Sequence, residues 1–311
     1  MERGRLLSEN PPRAQLRAKV IQIVEILLQH LIDYAGLFPP AALDMWQAIA
    51  NYDAHLRSEH AWILGRLIVP AARLSEFEDA LRQVPSATPN PWRLSVLVGT
   101  DSAADFERIA KFNEVGCAIV ESVEAKTGAP EEVNRLAATA PRNLCVYCEV
   151  PLNGREGDCI AAIAECELRA KIRTGGETAD KFPDAAQVIE FMRACVDVGV
   201  PFKATAGLHH PLRSVHRLTY QADSPSALMH GFLNVFLAAA FLRSGMPPQI
   251  AAELLDERSA EAIHFAEDEI VWREHHLNRD EIAAARQGFA ISFGSCSFTE
   301  PIDDLQSLGL L

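Results

Sequence analysis

The sequence predicts a (β/α)8 barrel on three observations. Eight short apolar runs recur along the chain, segments of helical periodicity separate them, and no nucleotide-binding glycine loop follows the early runs. Near-continuous apolar runs suit parallel strands covered on both faces. A doubly wound open sheet is the competing architecture, but neither GxGxxG nor GxxxxGK[ST] is present to mark it.

The elements follow in order. From residue 14, "AQLRAKVIQIVEILLQHL" places Leu16, Val20, Ile23, Val24, Leu27 and Leu31 at the three-and-four spacing of an amphipathic N-terminal helix. The first strand lies within "LIDYAGLF" (31–38), stopped by Pro39 and Pro40, and "ALDMWQAIANYDAHLRS" resumes helical spacing. Pro70 closes the second (62–70), before the helical "LSEFEDALRQV". The third to sixth, at 93–99, 118–124, 143–150 and 168–176, each precede an amphipathic segment. The seventh is "PFKATAGLHH" (201–210) and the eighth "AISFGSCSF" (290–298). Between these two, residues 211–289 far exceed an ordinary βα connection. They are expected to form a helical insertion within a single domain spanning 1–311, with helices near 228–244, 247–256 and 258–264, serving as lid or oligomer contact.

A net charge of −13 and a pI near 5.2 argue against nucleic acid or an anionic membrane as partner, while leaving room for a small anionic substrate in a local cationic pocket. The seven cysteines are scattered and odd in number, which favours free thiols in a reducing cytoplasm. No apolar stretch with a small-residue cleavage site follows "MERGRLLSENPPR", so neither secretion nor organelle import is expected. "GFLNVFLAAAFL" (231–242) is too short to span a bilayer and reads as a buried helix suited to a homo-oligomer contact or to lid packing.

Charges inside the strands carry the functional reading. Period-two alternation groups Arg169, Lys171 and Arg173 on one face, Cys145, Tyr147 and Glu149 on another, Ile119, Glu121 and Val123 on a third, and Lys203, Thr205 and Gly207 on a fourth. Neither face of a barrel strand offers water to such groups, so they must pair or take part in chemistry. Arg169 lies deepest and is expected to pair with an acid. A self-compensating ion-pair network is the bland alternative. The chemical one is a Schiff base: Lys171 as nucleophile, Lys203 as a neighbouring cation lowering its proton affinity, and Glu121 shuttling protons during carbinolamine dehydration.

"AKIRTGG" and "PFKATAGLHH" resemble the strand-six and strand-seven lysine segments of class I deoxyribose-phosphate aldolases, within the aldolase-type barrels. "LIDYAGLFPPA" is similar to that family's first-strand segment at Asp33, "GCAIVESVE" sets Glu121 where the family has an aspartate, and "FGSCS" resembles its phosphate-holding eighth strand. The resemblance implies a lyase without cofactor, with Lys171, Lys203 and Glu121 catalytic and a small anionic carbonyl compound as substrate. Asp33, Glu149, Thr174, Gly207, His209, Ser295 and Ser297 would contact that substrate. Arg173, absent from the family's motif, suits a carboxylate or phosphate, so a keto acid fits as well as a sugar phosphate.

Two other classes compete. His209 and His210, with Glu149 or Glu121 and His216 or His230, offer donors for a divalent metal in a lyase, hydrolase or isomerase. A non-catalytic small-molecule-binding barrel needs none of this chemistry. Cys145 and Cys148 face opposite ways on a strand and read as core cysteines, whereas Cys296 lies near the barrel mouth with no base identifiable beside it. His275 and His276 read as surface before a helix capped by Asn278.

Overall fold

The computed structural model describes residues 20–84, 92–116 and 118–311. Eight parallel strands close into a barrel: β1 (Ile32–Tyr34), β2 (Leu64–Pro70), β3 (Trp92–Leu97), β4 (Ala118–Lys126), β5 (Cys145–Glu149), β6 (Arg169–Arg173), β7 (Phe202–Thr205) and β13 (Ala290–Ser295). Each anticipated strand appears; most are shorter than their apolar runs, while β4 extends two residues past its run to Lys126. The predicted N-terminal helix is present as α1 (Gln22–Leu28); the portion expected before Val20 lies outside the described residues.

The outer layer is built from α2 (Met45–Leu56), α3 (Leu74–Leu81), α4 (Ser102–Val115), α5 (Pro130–Thr139), α6 (Glu156–Glu165), α7 (Ala185–Val198) and α8 (Phe232–Arg243). Asp44 and Asp184 start α2 and α7 with capping boxes closed by Gln47 and Gln187, which satisfies backbone donors at the helix starts. In α8, residues 232 to 242 are all buried, as an apolar helix without a polar face requires. It packs beside α7 and β13, so the apolar segment 231–242 is a buried helix of the barrel's outer layer, as its sequence predicts. Among the described residues no helix is long and apolar enough to cross a membrane.

The stretch 211–289 is not wholly helical. It contains a hairpin, β8 (Ser214–Arg217) with β9 (Ser226–Met229), then α8 and α9 (Pro248–Leu255), a three-stranded meander of β10 (Ile263–Phe265), β11 (Glu269–Trp272) and β12 (His275–Asn278), and α10 (Arg279–Gly288). The helix expected over 258–264 is instead a 3-10 turn leading into β10, because Ile263 and Phe265 alternate and pair with β11. Asn278 caps α10 as anticipated, with Glu281 closing the box, but His275 and His276 lie within β12. The chain ends in α11 (Thr299–Ser307).

Arg286 of α10 is buried and donates to the carbonyls of Leu27, Gln29, Ala290 and Ile291, tying α1 to the start of β13. Burial lowers its pKa to about 9. Arg286→Met keeps the apolar stem but leaves those acceptors without their donor. We expect a loss of about 2–3 kcal/mol in denaturant unfolding.

Candidate active site

Lys171 and Lys203 are register partners on β6 and β7 and point into the barrel. They are 4% and 1% exposed. Lys203 Nζ lies 2.6 Å from Asp33 Oδ2 and 2.6 Å from Glu124 Oε1. Lys171 Nζ lies 2.7 Å from Glu124 Oε2 and 2.8 Å from Glu149 Oε2, and Glu149 Oε1 accepts from Arg173 Nε at 3.3 Å. The charges therefore alternate across four neighbouring strands and β1: Asp33, Lys203, Glu124, Lys171, Glu149, Arg173. Hydroxyls complete the carboxylates' shells, with Ser292 Oγ donating to Asp33 at 2.8 Å and Ser95 Oγ to Glu124 at 2.8 Å.

Local sequence explains the order. The register pairs Tyr147 with Arg169 and Glu149 with Lys171, so same-face residues stack in layers. Asp33 Oδ1 accepts the backbone N–H of Arg66 at 2.7 Å. Gly65 permits this approach, since a Cβ there would stand 2.3 Å from that oxygen.

Burial alone would neutralise these groups, but their partners outweigh it. Asp33 is held below the usual carboxylate range by Lys203 and Arg66. Glu124 is held well below it by Lys171 and Lys203, and Glu149 by Lys171 and Arg173. Lys203, despite its burial, is raised above an ordinary lysine by Asp33 and Glu124, so it stays a cation. Its ammonium also lies 5.5 Å from the centre of the Tyr147 ring.

The network opens into a cavity of about 1210 Å³ at the C-terminal ends of the strands. Glu124, Glu149, Lys171 and Arg173 reach it from the barrel, and Lys126, Lys181 and Arg217 bring further cations. Lys126 and Arg217 make no ion pair among the described residues. The β8–β9 hairpin forms one side, packing Leu218 and Met229 against Phe182 of the loop after β6.

Several anticipated residues stand elsewhere. Glu121 does not join the lysines: its carboxylate is taken by Arg66 of β2 (Nε, 3.0 Å) and Arg93 of β3 (Nε, 2.9 Å). The reason is a bulge in β4, where the register passes from Leu94↔Val120 to Ser95↔Ser122, so parity counted through Glu121 changes face and Glu124 arrives at the lysines. Thr174 is fully buried and donates to Ala206 O at 2.7 Å, fastening the ends of β6 and β7 without lining the cavity. Ser295 accepts from the Ser297 N–H and Ser297 from the Glu300 N–H, so both shape the turn into α11 and neither lines the cavity. Gly207 does line it, at φ +75°, where a Cβ would also press on Phe182 and Gly175. Arg169 meets the Tyr147 hydroxyl at 3.1 Å in place of an acid.

The histidines are dispersed among different partners. His209 pairs with Glu300, His210 with Asp304 while stacking on His216, and His230 is enclosed by Arg213 and the Pro183 carbonyl. Glu149 is engaged by Lys171 and Arg173. Among the described residues no group of three His, Cys, Asp or Glu side chains converges to hold a metal ion, so the set His209, His210 and Glu149 is not assembled. Cys145 and Cys148 are free, and burial pushes the Cys148 thiol up to about 12.

Fold and site together define a (β/α)8 barrel whose interior lysines and carboxylates open into a cavity at the C-terminal face. No family model matches the chain, and no curated protein matches it.

Proposed function

We propose that the protein is a lyase of the aldolase type, making or breaking a C–C bond through an imine on Lys171. The observation that carries this reading is the position of the Lys171 amine at the cavity, within 2.8 Å of two carboxylates, Glu124 and Glu149. One of these is kept ionised by the neighbouring Lys203. A carboxylate at that distance can take a proton from the amine, which then attacks a substrate carbonyl carbon. The same carboxyl returns a proton to the departing hydroxyl as the carbinolamine loses water. The resulting protonated imine draws electrons from the adjacent C–C or C–H bond.

Within this reading Glu124 takes the proton-shuttling role first expected of Glu121. Lys203 shares the Glu124 carboxylate with Lys171. Arg173, Lys126, Lys181 and Arg217 favour an anionic carbonyl substrate, a keto acid or a sugar phosphate, and Arg173 is 44% exposed and so accessible to it. The similarity of the two lysine segments to deoxyribose-phosphate aldolases points the same way.

An imine labilises hydrogen on the neighbouring carbon, which gives a test requiring no knowledge of the natural substrate. In D2O the protein should catalyse deuterium exchange into the methyl group of pyruvate or acetaldehyde, followed by proton NMR. Lys171→Met should reduce the rate to the uncatalysed background. Exchange equal in wild type and Lys171→Met would remove the imine from the account.

A further inference from the structure

Beside the lysine network, a second reactive group faces the same cavity. Cys296 follows β13, and its Sγ lies 3.9 Å from His209 Nε2. His209 Nδ1 lies 2.9 Å from Glu300 Oε2 of α11, and Tyr220 donates to that same carboxylate oxygen at 3.1 Å. The Tyr220 hydroxyl also stands 3.6 Å from the sulfur. All four residues line the cavity. Thiol, imidazole and carboxylate thus form a line in which the acid fixes the ring's orientation and turns Nε2 toward sulfur, the arrangement of an activated nucleophile. Nothing in the imine chemistry uses it.

We infer that Cys296 is a second covalent nucleophile, accepting an acyl group from an ester or thioester bound in the cavity, with His209 as general base and Glu300 as its positioning residue. In the step, Sγ bonds to the acyl carbon and its proton passes to His209 Nε2. The bond to the leaving alcohol or thiol then breaks, and that group takes the proton back from His209. Water, deprotonated by the same imidazole, cleaves the thioester and restores the thiol. The surroundings suit a ring that carries a proton during the cycle. Burial would disfavour the imidazolium, yet the hydrogen bonds and charges of Cys296 and Glu300 raise His209 to about 9, so the neutral ring that takes the thiol proton grows in population, and acetylation of Cys296 speeds up, as pH rises toward that value. Burial and the nearby Cys296 and Glu300 hold the Tyr220 phenol protonated, so its hydroxyl keeps donating to Glu300 and helps fix that carboxylate behind the ring.

The test uses p-nitrophenyl acetate on the full-length protein, with acid quenching and peptide mass spectrometry. Acetyl should appear on Cys296 ahead of every other cysteine, a comparison within the wild-type protein that needs no variant. His209→Gln should slow acetylation of Cys296 by about 10²-fold or more. Glu300→Ala should slow it too, with Glu300→Asp recovering part of the loss, a rescue that bulk packing would not produce. Lys171→Met should leave it intact, which separates this inference from the imine reading. Acetylation absent from Cys296, or equally fast in His209→Gln, would overturn it.

Discussion

Lys203→Met is expected to lower stability by about 3–5 kcal/mol, because it leaves Asp33 and Glu124 as buried carboxylates without the cation they share. The check is a shift of the denaturant midpoint at pH 7, with the slope unchanged. The pH dependence follows from the shifts. Asp33 and Glu124 titrate lower in the folded chain, so their contribution is present above the ordinary carboxylate values near ~4 and is lost as pH falls through their folded values. Lys203 titrates higher, so its contribution is complete below about pH 10 and lost as pH rises through its folded value. The deficit of Lys203→Met should therefore be largest near neutrality and shrink in acid, where the wild-type carboxylates also take up protons. Equal midpoints at pH 7 would show that the two acids do not depend on this cation.

The second large effect separates two glutamates three residues apart on one strand. Glu124→Gln keeps the shape but removes the proton acceptor beside Lys171, and should slow deuterium exchange into pyruvate by about 10²- to 10⁴-fold. Glu121→Gln should leave that rate largely unchanged, since its carboxylate serves Arg66 and Arg93. The reverse ranking would return the shuttling role to Glu121. Because each replacement removes an anion from a charged cluster, far-ultraviolet circular dichroism of both variants should accompany the rates.

The contrast between these glutamates also shows where sequence reading stops. The lysine pair was legible because strand parity holds through β5, β6 and β7, and the register sets Glu149, Lys171 and Lys203 side by side. Parity fails in β4 because one bulged residue turns the next side chains to the other face, and nothing in "AIVESVEAK" marks the bulge. The second acid in that strand was the only hint that Glu121 had a rival. The eight strands were readable from their apolar runs, whereas β10 was hidden behind "SAEA", whose helical propensity is spent on a 3-10 turn while Ile263 to Phe265 pair with β11. Thr174, Ser295 and Ser297 looked like substrate contacts by motif, yet each satisfies backbone groups where a strand ends. The base for Cys296 could not be found locally: His209, Tyr220 and Glu300 come from three segments that only the closed barrel brings together.

If the Lys171 amine becomes covalently bound to a carbonyl carbon, borohydride trapping captures the bond itself. The protein is incubated with pyruvate, glyceraldehyde or acetaldehyde, reduced with sodium borohydride, digested and mapped by mass spectrometry. A reduced adduct is expected on the peptide bearing Lys171 with at least one of these carbonyls, absent from Lys171→Met. Adducts confined to exposed lysines, or none with any member of the panel, would contradict it.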